Sequence, residues 1–191
     1  MGRFLLIRHG ESEGNRDRLF TPHPHVPLTE QGRAQARRAG ERVAKSFAPT
    51  RVAASPFLRA RQTAEIVAEM LGVPVIVEDD LRERDYGEFA GLPYDTARAG
   101  YDPAEFWTWR PPGGETLVEA AARGGAVLDR LAASAPDADI VAVSHGALMV
   151  ALWWHVTGDW RTATVVPNAG IVVVEHRAGS YLRCHRFDDL S

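Results

Sequence analysis

The sequence predicts an α/β fold: a three-layer α/β/α sandwich on a mainly parallel sheet. Three observations predict it. Short apolar runs of strand length alternate with amphipathic stretches of helical length along the 191 residues, the pattern of strands joined by crossover helices. The first run, Phe4-Leu5-Leu6-Ile7, is continuously apolar, as a strand buried on both faces must be. Two strands end in a histidine followed by glycine, in Arg8-His9-Gly10 and Ser144-His145-Gly146. Both histidines therefore fall at the carboxyl edge of the sheet, where open α/β sheets bind ligands.

After the first strand, Thr29 caps a helix that begins at Glu30. Ala36, Ala39, Val43 and Phe47 recur at helical spacing down to about Ser46. A short strand follows at Arg51–Ala54. Ser55-Pro56 reads as the N-cap and first position of the next helix, which runs through Ile66 and Val67 to Gly72. Val75-Ile76-Val77 reads as another buried strand. From Leu81 to Thr116 the pattern breaks up, with Gly87, Gly91, Pro93, Pro111, Pro112, Gly113 and Gly114 interrupting it. This stretch reads as an insertion over one end of the sheet, covering the active site. Thr116 and Glu119 have the spacing of a capping box, opening a helix to about Ala133. Asp139–Val143 is a strand, and a helix follows His145-Gly146 to about Val156. Ile171–Glu175 and Tyr181–Phe187 are the closing strands. No repeat or linker divides the chain, so residues 1–191 read as a single domain.

With 45% apolar and 25% charged residues, such a chain buries a core without disulfides or metals. A net charge of −3 gives no basic excess for nucleic acid or an anionic membrane, and neither is expected as a partner. The single cysteine, Cys184, excludes an internal disulfide. The apolar run at the N-terminus is too short for a signal peptide, and no stretch approaches the ~20 residues of a membrane span. The expectation is a cytoplasmic protein.

The residues at the sheet edge suggest a phosphoryl site. Arg59 lies one turn into the helix after Ser55-Pro56, and helix N-termini favour anions. With Arg8 it supplies two planar, permanently charged forks for a phosphate. A neutral imidazole at His9 can attack phosphorus, splitting one hard displacement into two easier ones. His145 can hydrogen-bond the phosphoryl oxygens as their charge shifts. Glu83, at the start of the irregular stretch, can protonate the leaving oxygen and later take a proton from water, because bound phosphate favours the neutral carboxyl form.

Four segments then carry a resemblance. Arg8-His9-Gly10-Glu11-Ser12-Glu13-Gly14-Asn15 resembles the signature of the histidine phosphatase (phosphoglycerate mutase-like) superfamily. Ser55 to Ala64, Leu81 to Gly91 and Val143 to Gly146 resemble its remaining motifs, in the family's order. The resemblance implies the phosphoglycerate mutase-like fold, a phosphohistidine at His9, phosphate ligands Arg8, Arg59 and His145, and Glu83 as proton donor. It also implies phosphate or substrate contact at Asn15 and a substrate-contacting loop around Thr21. Ser12, Tyr86 and Gly146, within the same motifs, complete the candidate substrate contacts. Mutases of the family usually carry Glu-Arg-His-Tyr-Gly where this chain reads Glu83-Arg84-Asp85-Tyr86-Gly87. Asp85 resembles the phosphatase branch. The loop Phe20 to Leu28 departs from many relatives, with Pro and His in place of Gly and Asp.

Other chemistries fit less well. A cysteine-phosphatase loop needs arginine six positions after its cysteine, and Leu190 stands there relative to Cys184. Asp137-Ala138-Asp139 has the spacing of an aspartate-nucleophile motif but precedes its strand, and no Gly-rich phosphate loop is present. His23 and His25 make a weak metal signal and read instead as pocket-rim residues. Trp107, Trp109 and Arg110 are candidates for a pocket wall. The expected activity is therefore metal-independent phosphatase action, with no cofactor, on a small phosphorylated metabolite. A mutase of the same family and a regulatory module without turnover are the alternatives, and a homodimer is left open.

Overall fold

The computed structural model describes residues 1–21, 23–97, 105–177 and 180–187. Pro22 of the loop before Leu28, and residues 98–104 of the irregular stretch, lie outside that description. The strands are β1 (Gly2–Arg8), β2 (Pro49–Ala54), β3 (Val75–Val77), β4 (Asp139–Ser144), β5 (Ile171–Arg177) and β6 (Ser180–Arg186). The helices are α1 (Glu13–Arg16), α2 (Glu30–Ser46), α3 (Leu58–Leu71), α4 (Tyr94–Ala97), α5 (Leu117–Ser134) and α6 (Gly146–Thr157). The six strands form one sheet in the order β3-β2-β4-β1-β5-β6. The run from β3 to β1 is parallel, and β5 and β6 close the sheet antiparallel.

The apolar run at the start of the chain explains the layering. Phe4 and Leu6 join the core shared with Leu117, Leu128, Leu148 and Leu152 of α5 and α6. Leu5 and Ile7 point the other way, into Ala39, Val43, Ala64 and Val67 of α2 and α3. A strand with period-two side chains and helices on both faces must be apolar at every position. All four side chains are 1% exposed or less, and burying each contributes roughly 1.5–3 kcal/mol. The predicted three-layer α/β sandwich is the observed architecture.

The helix boundaries follow capping chemistry. Thr29 caps α2 through the Gly32 amide, and Thr116 with Glu119 forms a reciprocal capping box on α5. Gly72, with φ 67°, ends α3 in the left-handed region. Two readings of the sequence differ from the structure. Ser55-Pro56 is not the cap of α3: that helix starts at Leu58 with Phe57 as its N-cap, without a side-chain cap. The Ser55 hydroxyl is engaged elsewhere, with the Phe57 amide and the His145 ring. Val75–Val77 is not a buried strand but a sheet edge, and Val77 is 53% exposed. An apolar triplet is equally compatible with either place, and only the strand order decides.

The register carries both histidines to one spot. Arg8 pairs with Ser144 across the parallel β1/β4 ladder, so His9 and His145 leave adjacent strands side by side. The ladder continues past the strand ends, with the His9 amide donating to the Ser144 carbonyl (2.9 Å) and the Ser55 amide to the Val143 carbonyl (3.0 Å). Asp139 sits at the opposite end of β4, where it takes a bidentate pair of bonds from Arg3 at 2.8 and 2.7 Å. Its place away from the histidines removes it from any shared chemistry with them.

Candidate active site

A cavity of about 490 Å³ opens at the carboxyl ends of β1, β2 and β4. Arg8, His9, Asn15, Thr21, Arg59, Glu83, Tyr86 and Gly146 all line it. Six separate stretches of sequence thus meet at one place, because β4 lies between β1 and β2 and the loop after β3 crosses the same edge. The Ser144 hydroxyl anchors that loop by donating to the Leu81 carbonyl at 2.9 Å.

His9 is 3% exposed. Its Nδ1 lies 2.7 Å from the Gly10 carbonyl, an acceptor only, so Nδ1 carries the proton. Nε2 is left with its lone pair, and Arg59 Nε donates toward it at 3.3 Å. Burial, and then the charges of Arg59 and Arg8, hold the His9 pKa well below the ordinary imidazole value. The ring is therefore neutral and nucleophilic at Nε2. Backbone geometry supports it. The Gly10 amide donates to the Thr63 hydroxyl at 3.1 Å. A Cβ at Gly10 would collide with the Gly32 carbonyl, and one at Gly32 with the Glu11 carbonyl. Two glycines let the start of α2 approach the His9 loop this closely.

The two arginines differ in their support. Arg59, 3% exposed, also donates to the carbonyls of Thr21 (3.3 Å) and His23 (3.4 Å). Arg8 donates from Nη1 to the Val166 carbonyl at 2.8 Å, while its buried Nε has no partner among the described residues. His145 is fully buried. Its ring centroid is 5.0 Å from that of His9, and its Nε2 lies 2.7 Å from the Ser55 hydroxyl. Its Nδ1 has no partner among the described residues. Burial, then Arg59, then His9 push its pKa well below the ordinary value.

Glu83 is held by backbone donors. The amides of Arg84 (2.9 Å), Ala147 (3.3 Å) and Leu148 (3.1 Å) donate to its carboxylate, the last two from the first turn of α6. Arg123 of α5 fixes the loop behind it. Its guanidinium donates to the carbonyls of Asp80, Arg82 and Glu83 and pairs bidentately with Glu115. Burial, and then the Glu83 charge, raise the Tyr86 phenol well above its usual range and keep it neutral.

Not every expected contact faces the cavity. Ser12 is fully buried and caps α1 in a reciprocal box with Asn15. The Asn15 amide is also tied to the protein, donating to the Tyr94 hydroxyl at 3.1 Å and accepting from Asn168 at 3.0 Å. Trp109 lines the cavity, but Trp107 stacks on Trp160 and Arg110 pairs with Glu119. His23 and His25 are exposed. Among the described residues, no group of three or more His, Cys, Asp or Glu side chains is placed to hold a metal ion. No helix among them is long and apolar enough to cross a membrane. Sequence reasoning missed Asn168, which also donates to the His9 carbonyl at 3.1 Å, and Ser55, Thr63 and Arg123. All four act on the backbone or rings of other site residues, and no spacing rule exposes such a role.

The profile of the histidine phosphatase superfamily (branch 1) matches residues 4–189. The chain belongs to the histidine phosphatase superfamily. The 2,3-bisphosphoglycerate-dependent phosphoglycerate mutase of Methylobacterium radiotolerans is 42% identical over 129 residues, 62% of this chain and 61% of the mutase. The match thus spans less than two thirds of that relative's length. The uncharacterized phosphatase PhoE of Bacillus subtilis is 35% identical over 158 residues, 83% of this chain and 79% of PhoE. The solved structure of mycobacterial glucosyl-3-phosphoglycerate phosphatase in complex with VO3 superposes with a TM-score of 0.86 at 30% identity, over 97% of both chains. This histidine phosphatase superfamily member thus has both mutases and phosphatases among its relatives.

The two neutral imidazoles make stability depend on pH. An unfolded histidine takes up its proton near the ordinary pKa of 6.5, whereas His9 and His145 stay neutral when folded. Below that value the unfolded chain binds more protons, so acidification lowers stability, and above it these groups have no effect. The expected slope approaches about 1.4 kcal/mol per pH unit for each imidazole. Urea unfolding at about pH 7.5 and about pH 5.5 measures it, and equal stabilities would contradict the burial argument.

Proposed function

We propose that the protein is a metal-independent phosphatase that hydrolyses a small phosphomonoester through a phosphohistidine on His9. The observation that carries this reading is the unprotonated Nε2 of His9, presented to the cavity between Arg8 and Arg59 with Glu83 on the same wall. In the first step the Nε2 lone pair attacks phosphorus and the bond from phosphorus to the ester oxygen breaks. Glu83 gives its proton to the departing alkoxide. In the second step Glu83 takes a proton from water, whose oxygen attacks phosphorus, and the phosphorus–nitrogen bond breaks to release phosphate.

Arg8, Arg59 and His145 hold the phosphoryl oxygens in both steps. Arg8 Nε and His145 Nδ1, which have no partner among the described residues, are buried polar groups whose desolvation is offset once a phosphoryl oxygen arrives. Two guanidinium groups supply the positive charge the reaction needs, which is why no metal enters this reading.

Hydrolysis is favoured over mutase transfer by Asp85, which departs from the usual mutase pentapeptide, and by the full-length likeness to a phosphatase. The test compares phosphate release from a panel of alkyl phosphomonoesters with isomerisation of 3-phosphoglycerate in the presence of 2,3-bisphosphoglycerate. Phosphate release with turnover and no isomerisation is the expected result. Isomerisation faster than phosphate release overturns the reading.

A further inference from the structure

The geometry points to a specific class of ester: one whose alcohol part is apolar and carries no second anionic group. This inference rests on the phosphatase reading of the same cavity and names what that reading leaves open. Beyond the phosphoryl cradle the cavity is walled by Leu19, Phe20, Tyr94, Trp109, Val150 and Val165. These come from both sides of the opening. Phe20 packs on Tyr94 at 5.0 Å between ring centroids, while Val150 stands on α6 and Val165 follows it. With about 490 Å³ available, a phosphoryl group fills only the inner end, and the remainder offers apolar surface to the leaving alcohol.

The charges confirm the asymmetry. Among the described residues the cavity is lined by three cationic side chains, Arg8, Arg59 and Arg84. The first two flank His9. Arg84 is 4% exposed and is turned into the protein, donating to the carbonyls of Glu115 (2.7 Å) and Trp109 (2.6 Å). The remaining acidic wall residue is Glu83, which offers a second anion no positive charge. A carboxylate or second phosphate on the substrate would thus be stripped of water against rings and aliphatic side chains. Selectivity here comes from rejection of the doubly charged ester as much as from attraction of the apolar one.

The test compares 3-phenylpropyl phosphate with 3-phosphoglycerate, both esters of primary alcohols, so that leaving-group chemistry is closely matched. The expected result is a kcat/KM for phosphate release that favours 3-phenylpropyl phosphate by roughly tenfold or more. Two variants locate the effect. Trp109→Ala is expected to lower that ratio severalfold. Val165→Arg, at a rim position 55% exposed, is expected to lower it by raising the rate with 3-phosphoglycerate. Hydrolysis of both esters with equal efficiency, or a preference for 3-phosphoglycerate, overturns the inference while leaving the phosphatase reading intact. Absence of phosphate release from every ester overturns both.

Discussion

His9→Ala is expected to lose at least on the order of 10⁴-fold in phosphate release, and to form no phosphoenzyme that can be trapped by acid-free quenching. The tautomer of His9 sets its reactivity. Nδ1 is committed to the Gly10 carbonyl at 2.7 Å, so the nitrogen that faces the cavity is the one with a lone pair. No other imidazole, and no thiol, lines the cavity among the described residues. The His145 ring is engaged at Nε2 by the Ser55 hydroxyl and serves the phosphoryl oxygens as a donor from Nδ1, so it does not take over. The variant keeps the Arg8 and Arg59 cradle and should still bind inorganic phosphate, which separates loss of chemistry from loss of binding. Circular dichroism checks that the fold survives. Retention of most of the wild-type kcat would remove His9 from the reaction.

Arg59→Ala is expected to cost roughly 10²–10⁴-fold in kcat/KM. Two charge-assisted bonds to phosphoryl oxygen at roughly 1.5–3 kcal/mol each give that range. Arg59 has a second role that adds to the loss. Its guanidinium donates to His9 Nε2 and to the Thr21 and His23 carbonyls, so its removal also releases the loop that walls the cavity. Arg59→Lys separates the two contributions. Lysine restores the charge but not the planar fork, and a recovery of no more than about tenfold is expected. If the lysine variant matches wild type, charge alone suffices and the fork geometry carries nothing.

Much of this is legible in the sequence alone. The continuous apolar run at Phe4–Ile7, the Thr29 cap and the Thr116–Glu119 box each state a local rule that the tertiary structure has no reason to break. The histidines could be placed at the sheet edge because each follows a strand and precedes a glycine. Ser55 shows where local reasoning ran out. Ser-Pro is a good helix start by propensity, yet its hydroxyl bonds the His145 ring, 90 residues away in sequence. The helix then begins at Leu58. Val77 was misplaced for a related reason, since its exposure depends on what lies beyond β3, which its own neighbours do not encode. Ser12 and Asn15 share a motif that points to substrate contact; the structure ties both into the cap of α1, and Asn15 also lines the cavity.

By itself the sequence determined the layered α/β fold, the order of its elements and the identities of the imidazoles, guanidiniums and carboxyl group at the sheet edge. Periodicity, caps and turn residues act over a few neighbours, so they can be read along the chain. Only the tertiary structure decided which His9 nitrogen keeps its lone pair, what orients Glu83, and that the outer cavity is apolar. Those outcomes depend on the Gly10 carbonyl, the first turn of α6, and side chains from residues 19 to 165 meeting across one strand order. Contacts of that range are set by how the whole chain packs, and no local pattern specifies them.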